Sequence, residues 1–296
     1  MRTGAPLQNM LNNLKIIRLA TELATHISLL KTTGKHIGFV PTMGALHAGH
    51  ISLIHEARKK SDVVIASIFV NPVQFNDPKD FEKYPKTEAE DCSMLEEAGC
   101  DFVFIPSVEE VYPPGFKKEK FEFGDLEKVM EGAHRPGHFS GVAMVVKRLF
   151  ELVQPDIAFF GLKDYQQYAI ICDLVKKTQM NIEIKGMPTI REKDGLAMSS
   201  RNRLLSPSDR NEAVTLIRLL EKAKENYKTE SIAEIKFEFE TGLALHPSFK
   251  LDYFEIADGK TLQPLADKNS AEPRAFVAAF IGGVRLIDTI SLIEEM

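Results

Sequence analysis

The feature that most constrains this chain is a repeated alternation of short apolar runs and helical stretches through its first 187 residues. Residues 36–70 read as one βαβ unit: HIGFV, then HAGHISLIHEARKKS with Ile51, Ile54 and Ala57 at helical spacing, then DVVIASIFV. Apolar runs without polar alternation suit parallel strands covered on both faces. A second unit follows: Thr87 and Glu90 form a capping box expected to open a helix ending at Ala98, and the strand DFVFIP comes next. The helix GVAMVVKRLFELV, the strand DIAFF, a helix over 164–176 and the strand NIEIKG complete the pattern. The expected fold class is α/β, a doubly wound, Rossmann-like parallel sheet occupying residues 1–187.

Beyond residue 187 the pattern breaks. The loop TIREKDGLAMSSRN leads to helical stretches over 208–227 and 231–243 and three β-rich runs, LDYFEIA, RAFVAAF and VRLIDTI. Residues 188–296 are therefore expected to form a smaller α+β domain whose first loop faces the first domain. Residues 1–13 read as an extension, with Met10 as an alternative start.

Composition removes several function classes. A net charge of −5 lacks the basic excess that nucleic-acid binding demands. Cys92, Cys100 and Cys172 are odd in number and widely spaced, which suggests neither a disulfide framework nor a zinc cluster. No apolar run approaches membrane length and the N-terminus carries no signal-like segment, so a soluble, cytoplasmic protein is expected.

Chemistry concentrates where strands end. PTMGALHAGH follows the first apolar run and opens a helix, whose unpaired N–H groups and partial positive charge favour a phosphate. His47 and His50 are one turn apart and can address the same group; a lone histidine here would more ordinarily cap the helix or face solvent. FFGLKDYQQ ends another strand: Lys163 can neutralise phosphate, and Asp164 can accept from ribose hydroxyls while capping the next helix. The glutamines at 166 and 167, and Gln74 in FVNPVQF, are amides able to read a hydroxy acid. Ser199, Ser200 and Arg201 supply donors suited to phosphate oxygens.

The form H-x-G-H resembles the HIGH signature of the nucleotidyltransferases that include class I aminoacyl-tRNA synthetases, and DGLAMSSRN stands where that superfamily carries its KMSKS loop. Taken together and in order, PTMGALHAGH, FVNPVQF, YPKT, RPGHFSGV, FGLKDYQQ and DGLAMSSRN resemble the pantoate–β-alanine ligase (pantothenate synthetase) family over residues 14–288. Leu162 and Met144 depart from the family's commoner Glu and Thr.

The resemblance implies an ATP-dependent condensation of pantoate with β-alanine through a pantoyl adenylate. It implies that Met43, Gly44, Ala45, Leu46, His47, Ala48, Gly49 and His50 belong to the ATP site, with His50 as proton donor. It further implies that Gly161, Leu162, Lys163 and Asp164 hold ribose and phosphates, that Ile190 lies against adenine, and that Met198, Ser199, Ser200 and Arg201 close over the triphosphate. Gln74 and Gln167 become pantoate ligands, with Asn71, Met43, Tyr84 and His138 at further pocket positions, and His47, Lys163 and Arg201 join His50 in the chemistry. Asp91 with Glu90 matches an acidic pair that helps hold Mg²⁺, otherwise carried by the ATP phosphates. The family implies a homodimer, small-molecule substrates, and no nucleic-acid or membrane partner. The rival readings are another HIGH-type nucleotidyltransferase and a catalytically silent ATP-binding protein.

Overall fold

The computed structural model describes residues 14–74, 81–82, 84–117 and 119–294; the expected extension 1–13, with Met10, lies outside the described residues. Strands Lys15–Ile17 (β1), Ile37–Thr42 (β2), Val63–Ile68 (β3), Phe102–Phe104 (β4), Ile157–Gly161 (β5) and Glu183–Met187 (β6) form one parallel sheet in the order β1-β4-β3-β2-β5-β6. From β2 the chain winds outward through β3 and β4 on one side and β5 and β6 on the other, the doubly wound arrangement the alternation predicts. The sequence reading contains neither β1 nor the helix Ala20–Thr32 (α1) behind it; β1 has only three residues, two of them exposed.

Period-2 geometry distributes each apolar run between two cores. In β3, Val63 and Ile65 face the core built by α1 and the helices His138–Val153 (α4) and Tyr165–Thr178 (α5), while Val64 and Ala66 face the helices Ala48–Lys60 (α2) and Glu88–Glu97 (α3). Both faces are buried, which is why the run shows no polar alternation. The expected capping box at the start of α3 does not form. Thr87 is the N-cap residue but its side chain caps nothing; its hydroxyl turns to Asp91 instead.

Strands Phe249–Asp258 (β7), Pro273–Ile281 (β8) and Val284–Ser291 (β9) form a separate antiparallel sheet. The helices Thr215–Asn226 (α6) and Ile232–Ala244 (α7) bury their apolar faces in that sheet's core. The single helical stretch expected over 208–227 is broken, with a short helix Pro207–Glu212 preceding α6. Ser231 and Glu234 close a capping box at the start of α7.

An ion cluster ties the second sheet to the helix Met130–His134. Arg285 of β9 donates to both carboxylate oxygens of Glu131, in the helix Met130–His134, at 2.8 and 2.7 Å, and Tyr253 adds a hydrogen bond at 2.9 Å. Asp252 accepts from Arg285 at 3.0 and 2.7 Å and lies 3.0 Å from His134. Burial alone would raise the Glu131 carboxyl's pKa, but the hydrogen bonds and charge of Arg285 hold it below the usual range. Removing one partner of such a pair strands a buried charge. Arg285→Ala should therefore lower unfolding stability by roughly 3 to 5 kcal/mol, read from urea denaturation; a loss under about 1 kcal/mol would show that the cluster does not hold the second sheet to that helix.

Candidate active site

The carboxyl ends of β2 and β5 meet where the strand order reverses, the position at which open α/β sheets take ligands. β2 pairs with β3 along six residues but with β5 only at Gly38 and Phe39. Beyond that point the strands part, and the crevice opens between Thr42 and Gly161.

The turn leaving β2 is held from outside. Gly44 and Ala45 both have positive φ, +81° and +51°, a conformation a β-carbon disfavours. Asp91, buried in α3, receives the Ala45 and Leu46 amides at 3.0 and 2.7 Å and the Thr87 hydroxyl at 3.2 Å. Leu46 is buried in the sheet's core below. This clamp delivers the next residue, His47, to the N-terminus of α2.

His47 and His50 cap that helix reciprocally. His47 Nδ1 accepts from the Gly49 amide at 3.2 Å, and His50 Nδ1 accepts from the His47 amide at 3.3 Å. The ordinary explanation of such histidines, helix capping, is therefore realised by both, yet it also prepares them for ligand binding. A neutral ring that accepts at Nδ1 carries its proton on Nε2, so each presents an N–H away from the helix end. The rings are 4.1 Å apart between centroids. Burial, then neighbouring cations including Lys163, pushes His47 down to about 4; burial, then His47 and Lys163, pushes His50 down to about 3. Both are neutral donors near neutral pH. A β-carbon at Gly49 would stand 2.9 Å from the His47 ring and 3.7 Å from Met198 Cβ, so this glycine keeps the helix end open.

Lys163 follows β5 and joins two neighbouring clefts. One, of about 430 Å³, is lined by Arg135, His138, Lys163, Asp164 and Gln167 and roofed by Phe276 and Ile287 of the second sheet. The other, of about 340 Å³, contains Lys163, Ser199, Arg201 and Arg285. Asp164 is half exposed and 3.9 Å from the Lys163 amine. Its carboxylate makes no capping bond to α5, against expectation. Leu162 lies against the position a β-carbon of Gly186 would take, at 2.6 Å, on the β6 side.

The segment 190–201 approaches from the second sheet's side. Met198 N donates to Ile190 O at 3.0 Å, Arg191 bridges to Ala197, and Arg191 grips Asp288 of β9 at 2.7 and 3.1 Å. Ser199 Oγ accepts from Arg201 N at 3.2 Å, opening the turn Ser200–Leu204. The Ser200 side chain hydrogen-bonds Tyr84, whose phenol burial pushes above its usual pKa. Ile190 keeps 37% of its surface exposed, an apolar face for a planar ring.

On the other flank, Gln74 Nε2 donates to Met43 Sδ at 2.8 Å and Gln74 Oε1 accepts from Asn71 at 3.4 Å. His138 Nδ1 donates to the Gln74 carbonyl at 2.9 Å, which leaves Nε2 as an acceptor, the opposite tautomer to the other two histidines. Of the paired glutamines, Gln166 is consumed by structure: it accepts from Glu131 N at 3.0 Å and donates to Leu126 O and Val129 O at 2.7 and 2.9 Å. Both glutamines line the cleft, but only Gln166 is held by those bonds.

The structure does not bring Asp91 and Glu90 together as a metal pair. Both Asp91 oxygens are engaged by the turn, Glu90 is exposed, and no group of three or more His, Cys, Asp or Glu suited to a metal occurs among the described residues. Sequence reasoning missed Arg135 and Arg285, two cleft cations. Arg135 lies in the same RPGH segment that supplied His138, and its charge was the available signal; Arg285 had none, since only the second sheet's packing brings it here.

The depressed histidine pKa values carry a sign. As pH falls below 6.5 the unfolded chain protonates these imidazoles first, so stability is lost progressively towards about 4 and 3 and is unaffected by them above that window. The fall in urea midpoint from about pH 7 to about pH 5 should therefore be smaller in His50→Gln than in the parent. Equal falls would contradict a neutral, buried ring.

Comparison with known proteins gives the family. The sequence profile of the family pantoate-beta-alanine ligase matches residues 15–291. A pantothenate synthetase of Bacteroides fragilis is 45% identical over 283 residues, covering 95% of this chain and 100% of that protein. One from Phocaeicola vulgatus is 47% identical over 279 residues, covering 94% and 99%. The crystal structure of pantothenate synthetase from Thermus thermophilus superposes with a TM-score of 0.89 at 43% identity, covering 95% of this chain and 100% of that one. A pantoate-beta-alanine ligase from Francisella tularensis, complexed with beta-gamma ATP and beta-alanine, gives a TM-score of 0.73 at 36% identity, covering 94% and 98%. Matched by that profile over residues 15–291 and by pantothenate synthetases over 94 to 95% of its length, the chain belongs to the pantoate–β-alanine ligase family.

Proposed function

We propose that the chain condenses pantoate with β-alanine, with cleavage of ATP to AMP and pyrophosphate, through a pantoyl adenylate held in the crevice. The observation that carries the reading is the convergence on Lys163, which lines both clefts, with Ser199 and Arg201 in one and Gln167 in the other, and whose charge acts on both neutral imidazoles. The Francisella relative is complexed with beta-gamma ATP and beta-alanine, which supports ATP and β-alanine as substrates.

In this reading the pantoate carboxylate attacks the α-phosphorus and pyrophosphate departs. His47 and His50 donate Nε2–H bonds to phosphate oxygens as charge grows there, and α2's terminal amides reinforce them. His50 acts through its Nε2–H as a hydrogen-bond donor, burial holding its ring below the ordinary imidazole pKa. Lys163, Arg201, Ser199 and Ser200 neutralise and grip the β- and γ-phosphates. The turn from Met43 to Gly49, with Gly161 to Asp164, holds the nucleotide, and Ile190 covers adenine. Gln74, Gln167, Asn71, Met43, Tyr84 and His138 line the pantoate and β-alanine pocket. β-Alanine's amine then attacks the acyl carbon, forming the amide bond as AMP leaves. Alignment of reactants can supply on the order of 7 to 11 kcal/mol, and no covalent enzyme intermediate is needed.

Magnesium enters as part of the Mg·ATP substrate, since the protein's own described donors do not form a cage for it. We further take residues 1–187 and 188–296 as two domains, and the protein as a cytoplasmic homodimer by the family's pattern. No helix among the described residues is long and apolar enough to cross a membrane.

The direct test is product formation. AMP and pantothenate should appear only when ATP, pantoate and β-alanine are all present, and AMP accumulation with another acid in place of pantoate would overturn the assignment. Within that assay, His50→Ala should slow single-turnover formation of the adenylate by about 10²- to 10³-fold; a near-parental rate would remove His50 from the phosphate.

A further inference from the structure

Tyr112, just after the helix Val108–Val111, has no part in the chemistry above, but its hydroxyl reaches into the pocket wall. It donates to Asn71 Oδ1 at 3.1 Å, and Val73 N donates to the same oxygen at 3.3 Å. Val73 N can only donate, so the Asn71 oxygen must face it, and the Tyr112 hydroxyl gives that oxygen its second bond. The Asn71 nitrogen must then face Gly141 O at 3.1 Å and Gln74 Oε1 at 3.4 Å. Gln74 is oriented in turn: its oxygen is taken by Asn71, and its NH₂ group is directed to Met43 Sδ, on the crevice side. The opposite polarity would set NH₂ against NH₂ in a pocket where Asn71 is only 1% exposed. The Tyr112 ring is itself braced, with ring centroids 6.3 Å from Phe69 and 5.1 Å from Phe116, and burial keeps its phenol protonated and therefore a donor.

We propose that Tyr112 is a positioning residue for the hydroxy-acid substrate: its hydroxyl holds the Asn71 amide in the orientation that Val73 N and Gly141 O dictate, and through Asn71 makes Gln74 offer an N–H donor to a carboxylate or hydroxyl oxygen. The inference rests on the reading of Gln74 as a pantoate ligand.

The experiment is a double-mutant cycle with Tyr112→Phe and Gln74→Ala, reading kcat and KM for pantoate and for ATP. Tyr112→Phe keeps the braced ring and should raise the pantoate KM by about 3- to 10-fold, the scale of one hydrogen bond, with the ATP KM within about twofold of the parent. In the Gln74→Ala background the same change should add nothing. An unchanged pantoate KM in Tyr112→Phe, or an equal rise with and without Gln74, overturns the relay. If Gln74→Ala itself leaves the pantoate KM unchanged, the ligand assignment of Gln74 falls and the relay falls with it. A thermal unfolding midpoint of Tyr112→Phe matching the parent, alongside the raised KM, supports positioning; a lowered midpoint with equal changes in both KM values counts against it.

Discussion

The site depends on one buried carboxylate. Two consecutive residues in the left-handed region, one of them Ala45, make an unfavourable turn, on the order of 1 to 2 kcal/mol for the alanine alone. Hydrogen bonds from amides to a charged acceptor are worth roughly 1.5 to 3 kcal/mol each, and Asp91 receives two from the turn itself. The balance favours the turn, and the turn decides where α2 begins. From that start follow the reciprocal histidine caps, the Nε2–H tautomers and the direction in which both rings donate. The anchoring residue comes from α3, a different βαβ unit, so folding of the sheet must precede completion of the site.

In a chain whose net charge is −5, three cations, Lys163, Arg201 and Arg285, line the second cleft against one acid, Asp288. Lys163 and Arg203 both depress the pKa of His47, and Arg201 acts on Arg135 in the same sense. Cations crowded against each other are unfavourable until an anion arrives, which suits a triphosphate and two carboxylate substrates. The second sheet completes this arrangement through the Glu131–Arg285 cluster and the Arg191–Asp288 pair, each linking an element of the cleft to β9. Its role is to bring the 190–201 segment and Arg285 over strand ends that the first sheet alone would leave open.

The parallel sheet was legible because strands such as β3, buried on both faces, write unbroken apolar runs into the sequence. β1 was not, since three residues at a sheet edge carry no period. The histidine turn could be placed at a strand end from local pattern, but its clamp could not: Asp91 reads as a helix-surface acid until α3 packs against the turn. Gln166 and Gln167 show the same limit more finely. Neighbours on a helix differ by about 100° in direction, so only packing reveals that, of two glutamines lining the cleft, the first is spent on Glu131, Leu126 and Val129 and the second is not. Thr87 and Asp164 follow the composition of helix caps, yet Thr87 hydrogen-bonds a side chain four residues on and Asp164 makes no cap bond.

Nitrogen-15 NMR of the ring nitrogens of His47 and His50 tests the whole construction, because the tautomer reports both the caps and the turn that places them. Between about pH 6 and pH 8 both rings should be neutral, with the proton on Nε2 and no titration. A protonated ring in that range, or a proton resident on Nδ1 of either residue, would mean that the helix end is not built as described and that these side chains do not face a phosphate as donors.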